Sequence, residues 1–195
     1  MLSKLIVCRN QDQVSFIRNI VDYRINKTII VNWGLDKKIF NIVKTNFNDS
    51  VNIISPRATQ IEYNISTIFD AVKKIKNKYS QINFTYVNYN QVIHLKNQEI
   101  ADKILVSPTQ YDLWHELVNS DICISIPSYD GLSNTVLESL ALGNYLILSD
   151  LNSYGFLKNK KFLGDLMKIE QNYEKNVQSL YFLIEKIIKN IFFIR

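Results

Sequence analysis

The stretch SIPSYDGLSNTVLESLALGN, residues 125–144, carries two carboxylates, Asp130 and Glu138, with seven residues between them. An ionised carboxylate accepts hydrogen bonds and donates none, so its two oxygens suit adjacent hydroxyls such as those of a ribose. The loop PSYDG runs into an apolar segment that reads as a helix. Ser133 or Asn134 supplies its N-cap, Gly143 its stop, and Leu137, Leu140 and Ala141 its buried stripe. The N–H groups at 132–135 then form an anion site reinforced by the helix dipole, and Gly131 lets backbone come close to a ligand. Glu138 falls on the same face as Asn134. Asp130 and Glu138 would thus serve the two ends of a nucleotide sugar, with the diphosphate at the helix start between them. A competing reading makes Asp130 a helix cap and Glu138 a solvated surface residue, and spacing alone leaves the two even.

These residues need a scaffold, and the chain predicts one. Short β-branched runs recur at KLIVC (4–8), KTIIV (27–31), VNIIS (51–55), INFTYV (82–87), KILVS (103–107), ICISI (122–126) and YLILS (145–149). Several are apolar at consecutive positions, as in strands covered on both faces. Amphipathic helix-length stretches lie between them, at 11–25, 64–79, 109–119 and 133–142, and a last one follows at 171–190. This alternation predicts an α/β fold, a Rossmann-like parallel sheet of about six strands flanked by helices. Pro56, Pro108 and Pro127 each stand just past a predicted strand, where proline ends a ladder it cannot continue. In an open parallel sheet those exits share one edge, and ligands bind in the crevice outside it. Arg57, the Ser107–Pro108–Thr109 turn and the Asp130 loop are therefore expected to converge.

At 195 residues the chain suits one full core. No apolar run reaches the length of a membrane span, and the start MLSKLIVCRN lacks a signal-peptide pattern, so a cytoplasmic location is expected. Cys8 and Cys123, each in an apolar run, read as buried, reduced thiols, and neither has the partners of a metal site, so no metal is expected. The net charge of +5 raises the question of nucleic acid. Its densest cluster, Lys73, Lys74, Lys76 and Lys78, lies on the polar face and end of a helix without interleaved aromatics, which argues against that partner. Neither GxGxxG nor GxxxxGK[ST] is present, which excludes the familiar dinucleotide and P-loop sites. His94 and His115 are isolated and read as structural, and Trp33 and Trp114 as packing residues.

With these residues in view, SDICISIPSYDGLSNTVLESLALGNYLILSD resembles the donor-binding signature of family 4 retaining glycosyltransferases of the GT-B fold. Asp130 and Glu138 fall on the two acids of that family's Glu-x7-Glu motif. TIIVNWGLDKKIF is similar to the entry into the family's second domain, and IISPRATQIEYNISTIFDAVKKI to the segment carrying its phosphate-binding Arg. ILVSPTQYDLWHELVNSD is similar to the strand and helix flanking the base. The resemblance implies that residues 1–26 are the last strand and helix of the acceptor-side domain and 27–195 the donor domain. It further implies that Glu138 holds the ribose, Asp130 contacts the donor sugar, and Arg57 neutralises the diphosphate. Gly131, Leu132, Ser133, Asn134 and Thr135 would line sugar and diphosphate, and Ser107, Pro108 and Thr109 would meet the base. Two positions depart from the pattern: Asp130 replaces a Glu, and Gln60 stands where the family carries a Lys.

The implied activity is metal-independent, retaining hexosyl transfer from a UDP- or GDP-linked sugar, with no cofactor beyond that donor. The implied acceptor is a glycan or lipid-linked glycan bound through an N-terminal domain missing from this chain. The alternative is a non-catalytic remnant of a split glycosyltransferase that binds nucleotide sugar or a partner. The apolar tail, Ile191 to Ile194, with Lys186, Lys189 and Arg195, is expected to contact a partner domain or, peripherally, the inner face of a membrane.

Overall fold

The computed structural model describes residues 6–8, 14, 15, 17, 28–31, 34–45, 49–89, 98–131, 133–158 and 162–194. The strands are β1 (Ile6–Cys8), β2 (Thr28–Ile30), β3 (Val51–Ser55), β4 (Ile82–Asn88), β5 (Lys103–Val106), β6 (Ile122–Ser125), β7 (Tyr145–Ser149) and β8 (Gly164–Met167). The helices are α1 (Ile65–Lys78), α2 (Gln110–Val118), α3 (Asn134–Ala141), α4 (Gly155–Lys158) and α5 (Tyr173–Ile194). All seven runs read as strands contain one. Of the stretch 11–25, Val14, Ser15 and Ile17 are helical and the rest lies outside the described residues.

Six strands form one sheet in the order β5-β4-β3-β6-β7-β8, every pair parallel. This is the doubly wound Rossmann order, and it reverses between β3 and β6. Successive side chains of a strand point to opposite faces. On β3, Ile53 accordingly enters one core with α1 and α5, while Ile54 enters the other with α2 and α3. Both faces need apolar cover, which explains the consecutive apolar positions in these strands. The α1 stripe of Ile65, Ile68, Phe69, Val72 and Ile75 is buried. Phe69 meets Phe84 and Tyr86 edge-on, with ring centroids 5.2 and 5.3 Å away. The opposite face of α1 is the lysine cluster. Lys76 pairs with Asp102 at 2.7 Å and Lys78 with Glu185 at 2.6 Å, while Lys73 and Lys74 are exposed.

Strand β8 falls outside the runs recognised in the sequence. Its first residue explains why: a Cβ on Gly164 would come within 2.5 Å of the Leu146 carbonyl oxygen. Close approach to β7 demands a glycine there, and a glycine followed by Asp165 hides the strand pattern. Helix α5 is a core element, burying Val177, Leu180, Ile184, Ile187 and Ile188, with Ile191 and Phe192 packed against the same cluster. Of the apolar tail, Phe193 stands in solvent at 93% exposure. No helix among the described residues is long and apolar enough to cross a membrane.

Strand β2, read from sequence as the start of the donor half, pairs in parallel with β1 in a separate two-stranded sheet. Val7, Ile29, Ile30 and Val31 are all largely exposed there.

Candidate functional site

Three strand ends and one loop supply the centre of the site. Arg57 leaves β3, Ser125 ends β6, Asp130 sits on the following loop, and Tyr154 follows β7. Arg57 is buried, and its Nη2 bonds Asp130 Oδ2 at 2.6 Å while its Nε donates to Ser125 Oγ at 2.6 Å. The Tyr154 hydroxyl donates to the same Asp130 oxygen at 3.0 Å and accepts from Arg57 Nη2 at 3.4 Å. The Tyr63 ring lies 5.4 Å from the guanidinium carbon, a cation–π contact on a further side. Because β3 and β6 are the neighbours at which the strand order reverses, the Arg57–Asp130 pair spans the topological switch point. Arg57 and Asp130 thus converge as the proline argument expects.

Glu138 contradicts the reading of it as a solvated surface residue: it is 8% exposed. The helix packs differently from the stripe chosen on hydrophobicity. Val136, Glu138 and Ser139 are buried, Leu137 and Leu140 are half-buried, and Ala141 is exposed. The face toward β6 takes a small residue, Ser139, whose hydroxyl reaches Cys123 Sγ at 3.2 Å. Glu138 instead turns toward α2, where Gln110 Nε2 donates to its Oε1 at 3.0 Å. The Trp114 indole N–H is buried without a hydrogen-bond partner, yet lies close enough to favour the charged carboxylate. Burial pushes the Glu138 carboxyl above its ordinary range, with Trp114 and Gln110 pulling the other way.

Tyr89, at the exit of β4, joins the same cleft. Its phenol is pushed up first by burial and then by the Glu138 charge, and it is in hydrogen-bond contact with Thr135. Ser107 closes the edge of the site at β5. Its φ of 44° is in the left-handed region, its N–H bonds the Asn88 carbonyl at 2.7 Å, and its hydroxyl donates to the Tyr89 carbonyl at 3.3 Å. A non-glycine residue held there marks a backbone fixed by its surroundings. Thr109 caps α2 in a reciprocal box with Asp112, which commits its side chain to the helix and leaves the Ser107–Thr109 turn to offer backbone.

The remaining candidates are placed plainly. Ser133 is the N-cap of α3 without a side-chain capping bond, and the first-turn N–H groups of Asn134, Thr135 and Val136 have no partner within the helix. Gly143 ends the helix at φ 84°, as a left-handed stop requires. At Gly131 an added Cβ would meet nothing within 4 Å, so the fold itself does not demand glycine, and the space is open to a ligand. Gln60 is exposed and caps a 3-10 turn at Ile61–Tyr63. Pro108 is half-buried in the turn. Leu132, Trp33 and His94 lie outside the described residues. His115 packs edge-on against Tyr111, with centroids 4.5 Å apart.

Sequence reading missed Ser125, Tyr154, Tyr89, Tyr63 and Gln110. Ser125, Tyr154, Tyr89 and Tyr63 belong to a strand end or an adjoining turn and Gln110 opens α2, so their one shared signal is position near the carboxyl edge. Trp114 carries more than the packing role assigned to it, since its N–H favours the charged Glu138 carboxylate. Both cysteines are free and buried, and burial pushes the Cys123 thiol up to about 11, which makes it a poor nucleophile. Among the described residues no cluster of His, Cys, Asp or Glu is arranged to hold a metal ion.

No family model matches the chain. No curated protein matches it in sequence either. Solved structures do match in fold. The pneumococcal O-GlcNAc transferase GtfA, solved with UDP and GlcNAc, superposes with a TM-score of 0.74 at 13% identity, covering 96% of this chain and 38% of its own. Sucrose-phosphate synthase from Thermosynechococcus elongatus gives 0.71 at 14% identity, covering 96% and 49%. Anabaena HepE, solved with UDP-glucose, gives 0.68 at 12% identity, covering 97% and 56%. The chain spans roughly half the length of these structures or less. At such identities the likeness is one of fold: a Rossmann-like sheet matching a single half of GT-B glycosyltransferases.

Proposed function

We propose that this chain is the donor-binding half of a glycosyltransferase that transfers a hexosyl group from a UDP- or GDP-linked sugar with retention of configuration, in the manner of family 4. The observation that carries this reading is the Arg57–Asp130 pair at the switch point, just before the open α3 start, with Glu138 buried about one turn into that helix and Tyr89 within electrostatic reach of both Glu138 and Arg57. In the proposed complex the diphosphate lies at the α3 N-terminus and Arg57, and the ribose diol replaces Gln110 on Glu138. The base lies along the Ser107–Thr109 turn and Tyr89. The donor hexose reaches Asp130. Residues 27–195 supply this donor site and residues 1–26 belong to the acceptor side, whose remainder binds a glycan or lipid-linked acceptor. Phosphate neutralisation rests on Arg57 and backbone N–H groups, so the reading needs no divalent ion. In a retaining reaction of this kind the leaving phosphate assists attack on its own face of the sugar, and no protein nucleophile is required.

One observation favours a second reading, a non-catalytic module that binds nucleotide sugar or a partner. Arg57 is already matched by Asp130 at 2.6 Å, and Gln60 adds no charge, so the cleft holds little surplus positive charge for a diphosphate. Calorimetry with UDP, GDP and ADP, with and without EDTA, tests the donor reading. Binding of one of them that survives EDTA is the expected outcome. Strict dependence on a divalent ion, or no binding at all, overturns it.

A further inference from the structure

We infer that Tyr154 is a positioning residue for sugar recognition: its hydroxyl and Arg57 together grip one oxygen of Asp130, so that the other is presented to the donor sugar. This rests on the donor-site reading above.

The geometry is asymmetric. Arg57 Nη2 at 2.6 Å and the Tyr154 hydroxyl at 3.0 Å both meet Oδ2 of Asp130, and among the described residues Oδ1 makes no hydrogen bond. A carboxylate on a loop rotates freely about its last torsion unless something fixes its plane. One donor fixes an oxygen's position, while two donors converging from different strand ends fix its plane as well. Tyr154 arrives from beyond β7, Arg57 from β3, and Asp130 follows β6. The asymmetry therefore ties the acid to three elements of the sheet.

Tyr154 is suited to that task and to little else in the cleft. It is fully buried in the core beneath α3, so its ring cannot itself meet a ligand. Burial pushes its phenol well above the ordinary range, which keeps the hydroxyl protonated and donating. The guanidinium is held in turn by Ser125 at 2.6 Å, so the grip on Oδ2 does not depend on a bound phosphate. Recognition then divides by oxygen. Oδ2 belongs to the protein, and Oδ1 accepts from a sugar hydroxyl.

The test compares the full chain with Tyr154→Phe, which keeps the ring and removes the hydroxyl. Calorimetry reads the affinity of UDP, GDP and ADP, and of UDP-glucose, UDP-N-acetylglucosamine, GDP-mannose and ADP-glucose, and gives the preference for sugar nucleotide over parent nucleotide. In Tyr154→Phe that preference is expected to fall about 2- to 12-fold, the equivalent of one hydrogen bond while Arg57 keeps its hold. Asp130→Asn should lose the preference too, and adding Tyr154→Phe to it should change nothing further, because both act through one carboxylate. If Tyr154→Phe weakens parent and sugar nucleotides by the same factor, or the double variant is additive, Tyr154 is merely structural and the proposal falls. An unmodified chain that binds a nucleotide but prefers no sugar form also overturns it, leaving the nucleotide site standing. Should Tyr154→Phe not fold, the proposal stands or falls on Asp130→Asn, where an unaltered preference overturns it. If no nucleotide binds the unmodified chain, the donor reading fails and this inference with it.

Discussion

Replacing Glu138 with glutamine should move stability and binding in opposite directions. The side chain is 8% exposed, and burial raises its carboxyl above the ordinary range against the pull of Trp114 and Gln110. A folded-state pKa above the unfolded value means that the folded protein holds the proton more tightly. Ionised Glu138 therefore costs stability at neutral pH, and the cost disappears as pH falls below the ordinary glutamate value of about 4.3. Glu138→Gln has nearly the same volume and no charge, so its midpoint of thermal unfolding should exceed that of the parent at pH 7, with the difference closing in acid. Binding should suffer. A hydrogen bond to a charged group contributes about 1.5–3 kcal/mol, and the amide keeps one acceptor oxygen, so about one such bond is lost. That corresponds to a dissociation constant about 10- to 150-fold weaker. Calorimetry with UDP or GDP and the matching 2′-deoxynucleotide isolates the ribose: the parent should discriminate between them and the variant should discriminate less. Unchanged affinity, or an equal loss for the ribo and deoxy forms, would refute the ribose assignment. A lower unfolding midpoint at pH 7 would refute the burial argument.

Two further outcomes follow from ion pairs. Asp130→Asn leaves Arg57 buried without its counter-charge. Breaking a buried pair costs about 3–5 kcal/mol, and the partial exposure of Asp130 puts the expected loss near the lower end, a fall of roughly 6–12 °C in the unfolding midpoint. Parent-nucleotide binding should not weaken, since Arg57 is released to phosphate; paired calorimetry and thermal melts check both. Glu185, at the α1–α5 interface, accepts from Lys78, Tyr79 and Tyr181, and the Lys78 bond above all holds its carboxyl down to about 2. A depressed folded-state pKa gives stability that is present above the ordinary glutamate value and lost as pH falls toward about 2. Glu185→Gln should therefore flatten the acid limb of a stability–pH curve between about 4.3 and 2, and an unaltered limb would count against the interface role.

How much of this was legible follows from the reach of each signal. Strands β3, β6 and β7 announce themselves because sheets buried on both faces demand consecutive apolar residues, and β4 by the alternation of INFTY. Strand β8 stays hidden because the close approach at Gly164 replaces that pattern with a glycine. The meeting of Arg57 and Asp130 is legible from the strand-end prolines, whereas the spacing of the two acids alone leaves Glu138 open between a ligand role and a solvated surface. Tyr154 and Gln110 are not legible, because their meaning lies in contacts across 24 and 28 residues of sequence that no local pattern encodes. The stripe on α3 was misassigned for a related reason. Hydropathy selects Leu137, Leu140 and Ala141; Leu140 does pack against the core, but Ala141 is exposed and the place beside Cys123 is taken by Ser139. Helix α5 divides along its length: Ile184, Ile187 and Ile188 fill its own core, while Phe193 of the apolar tail stays in solvent.

The strand order also has a consequence for how the protein folds. Strands β3, β4 and β5 are neighbours in sequence as well as in space, and so are β6, β7 and β8. Each trio closes by short crossovers, whereas β3 and β6 meet across the whole length of the first trio. Loop closure over that distance is entropically slow, so the seam between them is expected to be the last pairing to form and the first to open. Arg57 and Asp130 are stitched across it, 73 residues apart. A nucleotide bound there would bridge both trios at once and add RT ln(1 + [L]/Kd) to the stability of the joined state alone. Amide exchange at β3 and β6 should slow on ligand addition more than exchange at the outer strands.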